Sequence, residues 1–242
     1  MIPRHLFRLA TAVLVLAGCS EDDGRPAADP RAADPGSPLV FVTHPTDPPC
    51  AYTNAAGECL GTDVDLARRI AAKMNRPLIC EVDEFENLIP RLKAGTADFS
   101  IATITITEAR RRDVDFSKPY ETSGHSFLYR ADGPKPRMSQ ISSLRIGTES
   151  GTTGDLYLSV HGGDPVRFVN MNLAVPALIN KEVDAIFFDA IPLEEWARRS
   201  GGALVVSPLE TREGYGVAVN KRRPDIVAAA NAVIDEEGAA HD

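Results

Sequence analysis

No stretch of this sequence stays apolar for the roughly 20 residues that a bilayer crossing demands; the N-terminal run from Leu9 to Ala17 falls well short. Basic residues are in deficit, with 26 Lys and Arg against 34 Asp and Glu and a net charge of -8. Sequence-independent phosphate binding needs cations gathered over one face, so nucleic acid is not an expected partner. There is no glycine loop suited to cradling a phosphate, and no Ser/His/Asp or Cys/His set that would make a nucleophile. Histidines and cysteines lack the spacing of a metal site, His44 included, and no cofactor is expected. Hydrophobic residues are plentiful at 43%, enough for one large folded domain or two small ones and too many for a chain disordered throughout.

The first residues, MIPRHLFRLATAVLVLAGCS, place Arg4 and Arg8 before the short apolar run, the pattern of an export signal over residues 1–18. Its end, Leu16-Ala17-Gly18-Cys19, resembles the bacterial lipobox, in which the cysteine becomes the lipidated first residue; an ordinary signal with a chance cysteine is the alternative. Residues 19–38 are rich in Pro, Ala, Asp and Gly, cannot bury a core, and read as a tether. The expected location is the extracytoplasmic side of a membrane, periplasmic or cell-surface, held through lipid on Cys19. Export also permits pairing among the remaining cysteines. Cys50 and Cys59 flank AYTNAAGE, a hairpin-like segment, so the expected disulfide is Cys50–Cys59, with Cys80 a buried thiol in the apolar run PLIC.

From Leu39 onward short apolar runs alternate with helical patterns, which points to a mostly parallel sheet covered by helices. LVFVT reads as a strand, and TDVDLARRIAAKMN puts Val64, Ala67, Ile70, Ala71 and Met74 on one helical face. ADFSIATIT reads as a strand, so Thr103 and Thr105 point to one side and Ile104 to the other. The order of strands and helices starts afresh after the loop RADGPKPRMSQ without any repeat of sequence, giving two similar units. A last strand, YGVAVN, and a helix opened by Pro224 could return to complete the first unit, which spacing alone does not establish.

The carboxyl ends of strands line the ligand crevice in open α/β sheets, and TEARRRD follows such an end. Arg110, Arg111 and Arg112 fan around a helix at 100° per residue, so one or two at most face inward. An inward guanidinium beside threonine hydroxyls would grip a carboxylate by two parallel hydrogen bonds; a solvated charge cluster is the other possibility.

Several ordered motifs are similar to those of the family 3 solute-binding proteins of ABC transporters, the polar amino-acid receptors. They are Gly61-Thr62-Asp63-Val64-Asp65-Leu66, the block FENLIPRLKAGTADFSIATITITEARRRDVDFSKPY, SGTTGDLY, EVDAIFFD and YGVAVNK, and the resemblance covers Leu39 to Gly238. It implies an α/β, two-lobed periplasmic-binding-protein-like (type II) fold: two mixed sheets flanked by helices, joined by a two-strand hinge. Lobe 1 would comprise residues 39–120 and 214–242, and lobe 2 residues 121–213. It implies further that Arg110 grips the carboxylate of an amino acid, assisted by Thr105 and the backbone near Thr103. Asp189 would take the ammonium, with helix capping as its other role. Thr153 would close over the carboxylate from lobe 2 or cap the following helix, and Phe85 would pack on the ligand side chain or in the core. His44, Asp47 and Glu149 fall in the side-chain pocket, where carboxylates would attract a cationic ligand but rim charges would look the same. The implied protein is a monomer that delivers its amino acid to permease subunits and catalyses nothing. Cyclohexadienyl dehydratases resemble the same family, but the place of their glutamate is held here by Pro192, which can neither take nor give a proton. A ligand-sensing module acting in trans is a third possibility.

Overall fold

The computed structural model describes residues 36–241. The export signal, Cys19 and most of the tether lie outside the described residues. The chain runs through β1 (Leu39–Thr43), β2 (Thr46–Asp47), β3 (Ala51–Thr53), β4 (Cys59–Leu60), α1 (Thr62–Lys73), β5 (Leu78–Val82), α2 (Phe85–Ala94), β6 (Phe99–Ser100), α3 (Glu108–Arg111) and β7 (Asp115–Ser123). A second series follows: β8 (His125–Arg130), β9 (Ile146–Glu149), α4 (Thr153–Val160), β10 (Val166–Phe168), α5 (Met171–Ile179), β11 (Ala185–Asp189), α6 (Ala190–Arg199) and β12 (Leu204–Val206). The chain ends through β13 (Glu213–Val219) and α7 (Pro224–His241).

Two five-stranded sheets result, ordered β5-β1-β6-β13-β7 and β10-β9-β11-β8-β12, with a small β2-β3-β4 sheet beside the first. In the first, β1 is parallel to β5 and β6, while β13 is antiparallel to β6 and β7. In the second, β9 is parallel to β10 and β11, while β8 is antiparallel to β11 and β12. Both sheets are therefore mixed, and the two-lobed α/β architecture implied by the motifs is present. Among the described residues no helix is long and apolar enough to cross a membrane.

The first core packs Val64, Ala67 and Ile70 of α1 and Ile226, Ala230 and Val233 of α7 against Leu39, Phe41 and Phe99. Burial of each such large side chain contributes roughly 1.5 to 3 kcal/mol. The second core packs Met171, Val175 and Leu178 of α5 against Leu128, Ile186 and Phe188. The returning chain is tied down by Arg223, whose Nη1 lies 2.7 Å from Asp98 Oδ1 with both side chains fully buried. Asp98 also accepts a hydrogen bond from Val40 N at 2.8 Å, so this pair connects β1 to the start of α7.

The lobes are joined by two crossings, at Gly124 between β7 and β8 and at residues 207–212 between β12 and β13. They run side by side: His125 N donates to Thr211 Oγ1 at 2.8 Å and Glu210 N to His125 O at 2.8 Å. A Cβ at Gly124 would sit 2.1 Å from Thr211 O, so a side chain there would force the crossings apart.

Two sequence expectations are corrected. The disulfide is Cys59–Cys80, not Cys50–Cys59; Cys80 is bridged, and Cys50 is the buried thiol outside the bridge. Strand register explains it: β3 and β4 pair Thr53 with Cys59 and Tyr52 with Leu60, which carries Cys50 past Cys59. Cys50 O instead accepts from Asp63 N at 3.0 Å. The bridge ties β4 to β5 across α1, at a Cα separation of 6.6 Å. Secondly, the strand read over ADFSIATIT is only Phe99–Ser100.

The chain turns at Thr103, whose φ of 46° is a left-handed conformation that a β-branched residue rarely adopts. What holds it is Asp63, the first acid of the motif in α1. Thr103 N donates to Asp63 Oδ2 and to Tyr120 Oη, each at 3.2 Å. Burial of Asp63 lifts its pKa to about 6, against the lowering effect of the hydrogen bonds from Thr103 N and Tyr120.

Two outcomes follow from these anchors. Reduction of Cys59–Cys80 should lower the unfolding free energy by about 3 kcal/mol, because the bridge closes a loop of about 20 residues; urea unfolding with and without reductant measures it. The native state holds the Asp63 proton more tightly than the unfolded chain, so this group's contribution to stability falls as pH rises from about 4 to about 6. Asp63→Asn should therefore gain on the wild type across that window, by up to roughly 3 kcal/mol. A stability difference that is flat with pH would contradict this.

Candidate functional site

The carboxyl ends of β9 and β11 in one lobe face the Thr103 turn and α3 of the other. Phe85, Thr103, Thr105, Arg110, Thr152, Thr153, Phe188 and Asp189 line one narrow space between them. A roomier cavity of about 490 Å³ lies beyond Thr103, walled mainly by first-lobe residues such as Asp63, Tyr120 and Glu121, with Ile191 from the second lobe. The narrow space gathers the residues of opposed charge, and it is the candidate site.

The arginine run divides as helical geometry requires. Arg111 and Arg112 are exposed, whereas Arg110 turns inward. Thr107 caps the short α3 by accepting from Arg110 N at 3.1 Å, which fixes where the side chain departs. Arg110 Nη1 donates to Thr105 O at 3.0 Å, Nη2 to Gly151 O of the other lobe at 3.4 Å, and the guanidinium carbon lies 5.3 Å from the centre of the Phe85 ring. Burial lowers its pKa, with Asp189 and Glu213 opposing; an arginine remains charged regardless.

Both capping alternatives in the second lobe are decided by geometry. Thr152 caps α4, accepting from Asp155 N at 3.2 Å, so the hydroxyl of Thr153 is left to the cleft. Asp189 stands at the start of α6 without a side-chain capping bond. Its Oδ1 accepts from Tyr215 Oη at 3.0 Å instead, and Thr103 adds a side-chain hydrogen bond from the other lobe. Burial raises the pKa of Asp189; His125 opposes this and the charge of Glu213 adds to it.

His44 and Glu149 meet across the lobes. Nε2 of His44 lies 3.4 Å from Glu149 Oε1, and both side chains are fully buried. His44 Nδ1 is 3.1 Å from the carbonyl of Asp83, which can only accept, so Nδ1 carries a proton. Thr46 Oγ1 lies 2.7 Å from Nε2. Burial raises the pKa of Glu149 against the hydrogen bond and charge of His44, the long 3.4 Å contact being a weak one for a buried carboxylate. The His44 ring stands edge-on to Phe85 at 6.4 Å, so Phe85 lies between the His44–Glu149 pair and Arg110. Asp47 is the last residue of β2, opposite Ala51.

Three residues at the centre went unread in the sequence: His125, Glu213 and Tyr215. Glu213 Oε2 accepts from Thr105 Oγ1 at 2.6 Å and Thr153 Oγ1 at 2.9 Å. His125 is buried, with Nδ1 3.4 Å from Glu213 Oε1 and Nε2 3.5 Å from Asp189 Oδ1. His125, Asp189 and Glu213 each offer a ligand atom within 4.8 Å of the others. The carboxylates face opposite ring nitrogens, however, and Nδ1 is closer to Thr211 Oγ1, at 2.9 Å, so the three do not converge on one point as the ligands of a single ion would. The available signal was the alternation in EGYG, which puts Glu213 and Tyr215 on one face of β13.

The chain is similar to known proteins in both sequence and fold. The arginine-binding periplasmic protein of Mannheimia haemolytica is 30% identical over 202 residues, covering 81% of this chain and 83% of that protein. The probable histidine-binding protein of Neisseria gonorrhoeae is 28% identical over 242 residues, covering 94% of this chain and 87% of its own. Among solved structures, holo ArgBP from T. maritima superposes with a TM-score of 0.78 at 30% identity, covering 83% of this chain and 90% of that one. An ancestral arginine-binding protein bound to arginine gives a TM-score of 0.77 at 27% identity, covering 84% and 92%. The sequence profile described as bacterial extracellular solute-binding proteins, family 3, matches residues 39–239, and this chain belongs to that family.

Proposed function

We propose that this protein captures an amino acid with a cationic side chain between its lobes and presents it to the permease subunits of an ABC transporter. It acts as a monomer on the extracytoplasmic side, held there by lipid on Cys19, and performs no chemistry of its own. One observation carries the proposal: an inward arginine and two threonine hydroxyls meet a buried aspartate across the interlobe space. Arg110, Thr105 and Thr153 suit the α-carboxylate, and Asp189 suits the α-ammonium. The hydroxyls already donate to a carboxylate, that of Glu213, so their geometry is competent for one.

The side chain of the ligand would lie along Phe85 toward His44 and Glu149. A buried carboxylate served only by a long 3.4 Å contact from His44 is costly to keep charged, and a guanidinium or ammonium would supply closer donors. The arginine-binding names of several relatives are consistent with this choice. In the region where related dehydratases carry an acid, Pro192 is buried within α6, and Glu195 is engaged by Arg198 and Arg199 on that helix. Because Arg110 and Thr105 belong to one lobe and Thr153 and Asp189 to the other, a zwitterion held by both sets favours closure by the contacts it gains there.

Calorimetry against the twenty amino acids tests the proposal, with arginine and lysine expected to bind most tightly. Arg110→Ala should weaken binding by about 3 kcal/mol or more, while the exposed Arg112→Ala should change it little; equal losses would contradict the assignment. Glu149→Gln should weaken arginine about tenfold and leave neutral amino acids nearly unaffected. Parallel changes for both ligand types would remove Glu149 from the side-chain pocket.

A further inference from the structure

Glu213 is the first residue of β13, where the chain re-enters the first lobe. Its side chain is only 14% exposed. A threonine hydroxyl has a single proton to give. Thr105 and Thr153 both direct theirs at Glu213 Oε2, so the 3.1 Å approach of the two hydroxyl oxygens is a consequence of that shared acceptor. The hydroxyls assigned above to the ligand carboxylate are thus committed to a carboxylate of the chain itself. Arg110, the third part of the clamp, is near enough for the charge of Glu213 to favour its cationic form.

We propose that Glu213 is an internal stand-in for the α-carboxylate and thereby a specificity-determining residue. The ligand carboxylate must displace it from Thr105 and Thr153, so Glu213 weakens α-amino acids selectively. This rests on the receptor function proposed above. Two carboxylates cannot both use the same two protons, and side by side they repel. A cation without an α-carboxylate meets no such competition. It gains instead from a cleft in which Glu213 adds its negative charge to that of Asp189.

The test is the ratio of two affinities. L-Arginine and agmatine, the same molecule without its α-carboxylate, are titrated by calorimetry into the full chain, Glu213→Gln and Glu213→Ala. Glu213→Gln keeps the shape and removes the charge, so arginine should bind more tightly and agmatine more weakly, raising the preference for arginine about tenfold or more. Glu213→Ala should move the ratio the same way. A purely structural role would weaken both ligands together and leave the ratio unchanged, and an unchanged ratio in both variants overturns the proposal. Failure of the wild-type protein to bind any of the twenty amino acids would overturn the receptor function itself, a result distinct from an unchanged ratio.

Discussion

One carboxylate oxygen, Glu213 Oε2, accepts protons from Thr105 of the first lobe and Thr153 of the second. This three-part contact joins the lobes, and other interlobe bonds of the described residues lie around it. Arg110 reaches Gly151 on one side, and Tyr215 and Thr103 reach Asp189 on another. Away from these, His44 meets Glu149. Except for Thr105–Glu213, which stays on the first-lobe side, each of these bonds crosses between the two cores, so each is made only when the lobes are together.

The electrostatic balance of the cleft is negative. Arg110 faces Asp189 and Glu213, with Glu149 at the other end of the Phe85 ring and His125 set between two carboxylates. Burial opposes ionisation of Asp189 and Glu149 alike. Desolvated acids of this kind favour a cation that brings donors, and in a low-dielectric cleft that preference is stronger than it would be at a surface. The same excess makes an approaching carboxylate pass close to Glu213, and so the proposed amino acid meets attraction at its amino group and competition at its carboxylate.

The site is held from behind by the framework. Asp63 and Tyr120 grip the backbone of Thr103 in its left-handed turn, and the Cys59–Cys80 bridge fixes α1, which carries Asp63. The buried Arg223–Asp98 pair anchors the chain just after β13, the strand that delivers Glu213 and Tyr215. Breaking a buried pair by removing one partner typically costs about 3 to 5 kcal/mol, so the position of the hinge strand is strongly constrained from the core side.

Local order was legible in the sequence wherever burial imposed a period. The α1 face followed from apolar spacing, and the opening of α7 from Pro224. So did the division of the arginine run, because 100° per residue allows only part of it to face inward. β7 escaped notice: Pro119 interrupts its pattern, and an edge strand tolerates the proline that a central one would not. The bridge from Cys59 to Cys80 and the meeting of His125, Asp189 and Glu213 could not be read from spacing. Disulfide partners depend on strand register, and the meeting of these three side chains depends on how two hinge crossings bring distant strands together. Apolar period was enough to find the buried face of α1 and the inward arginine, whereas which charges share a cleft is set by contacts between lobes and has no period along the chain.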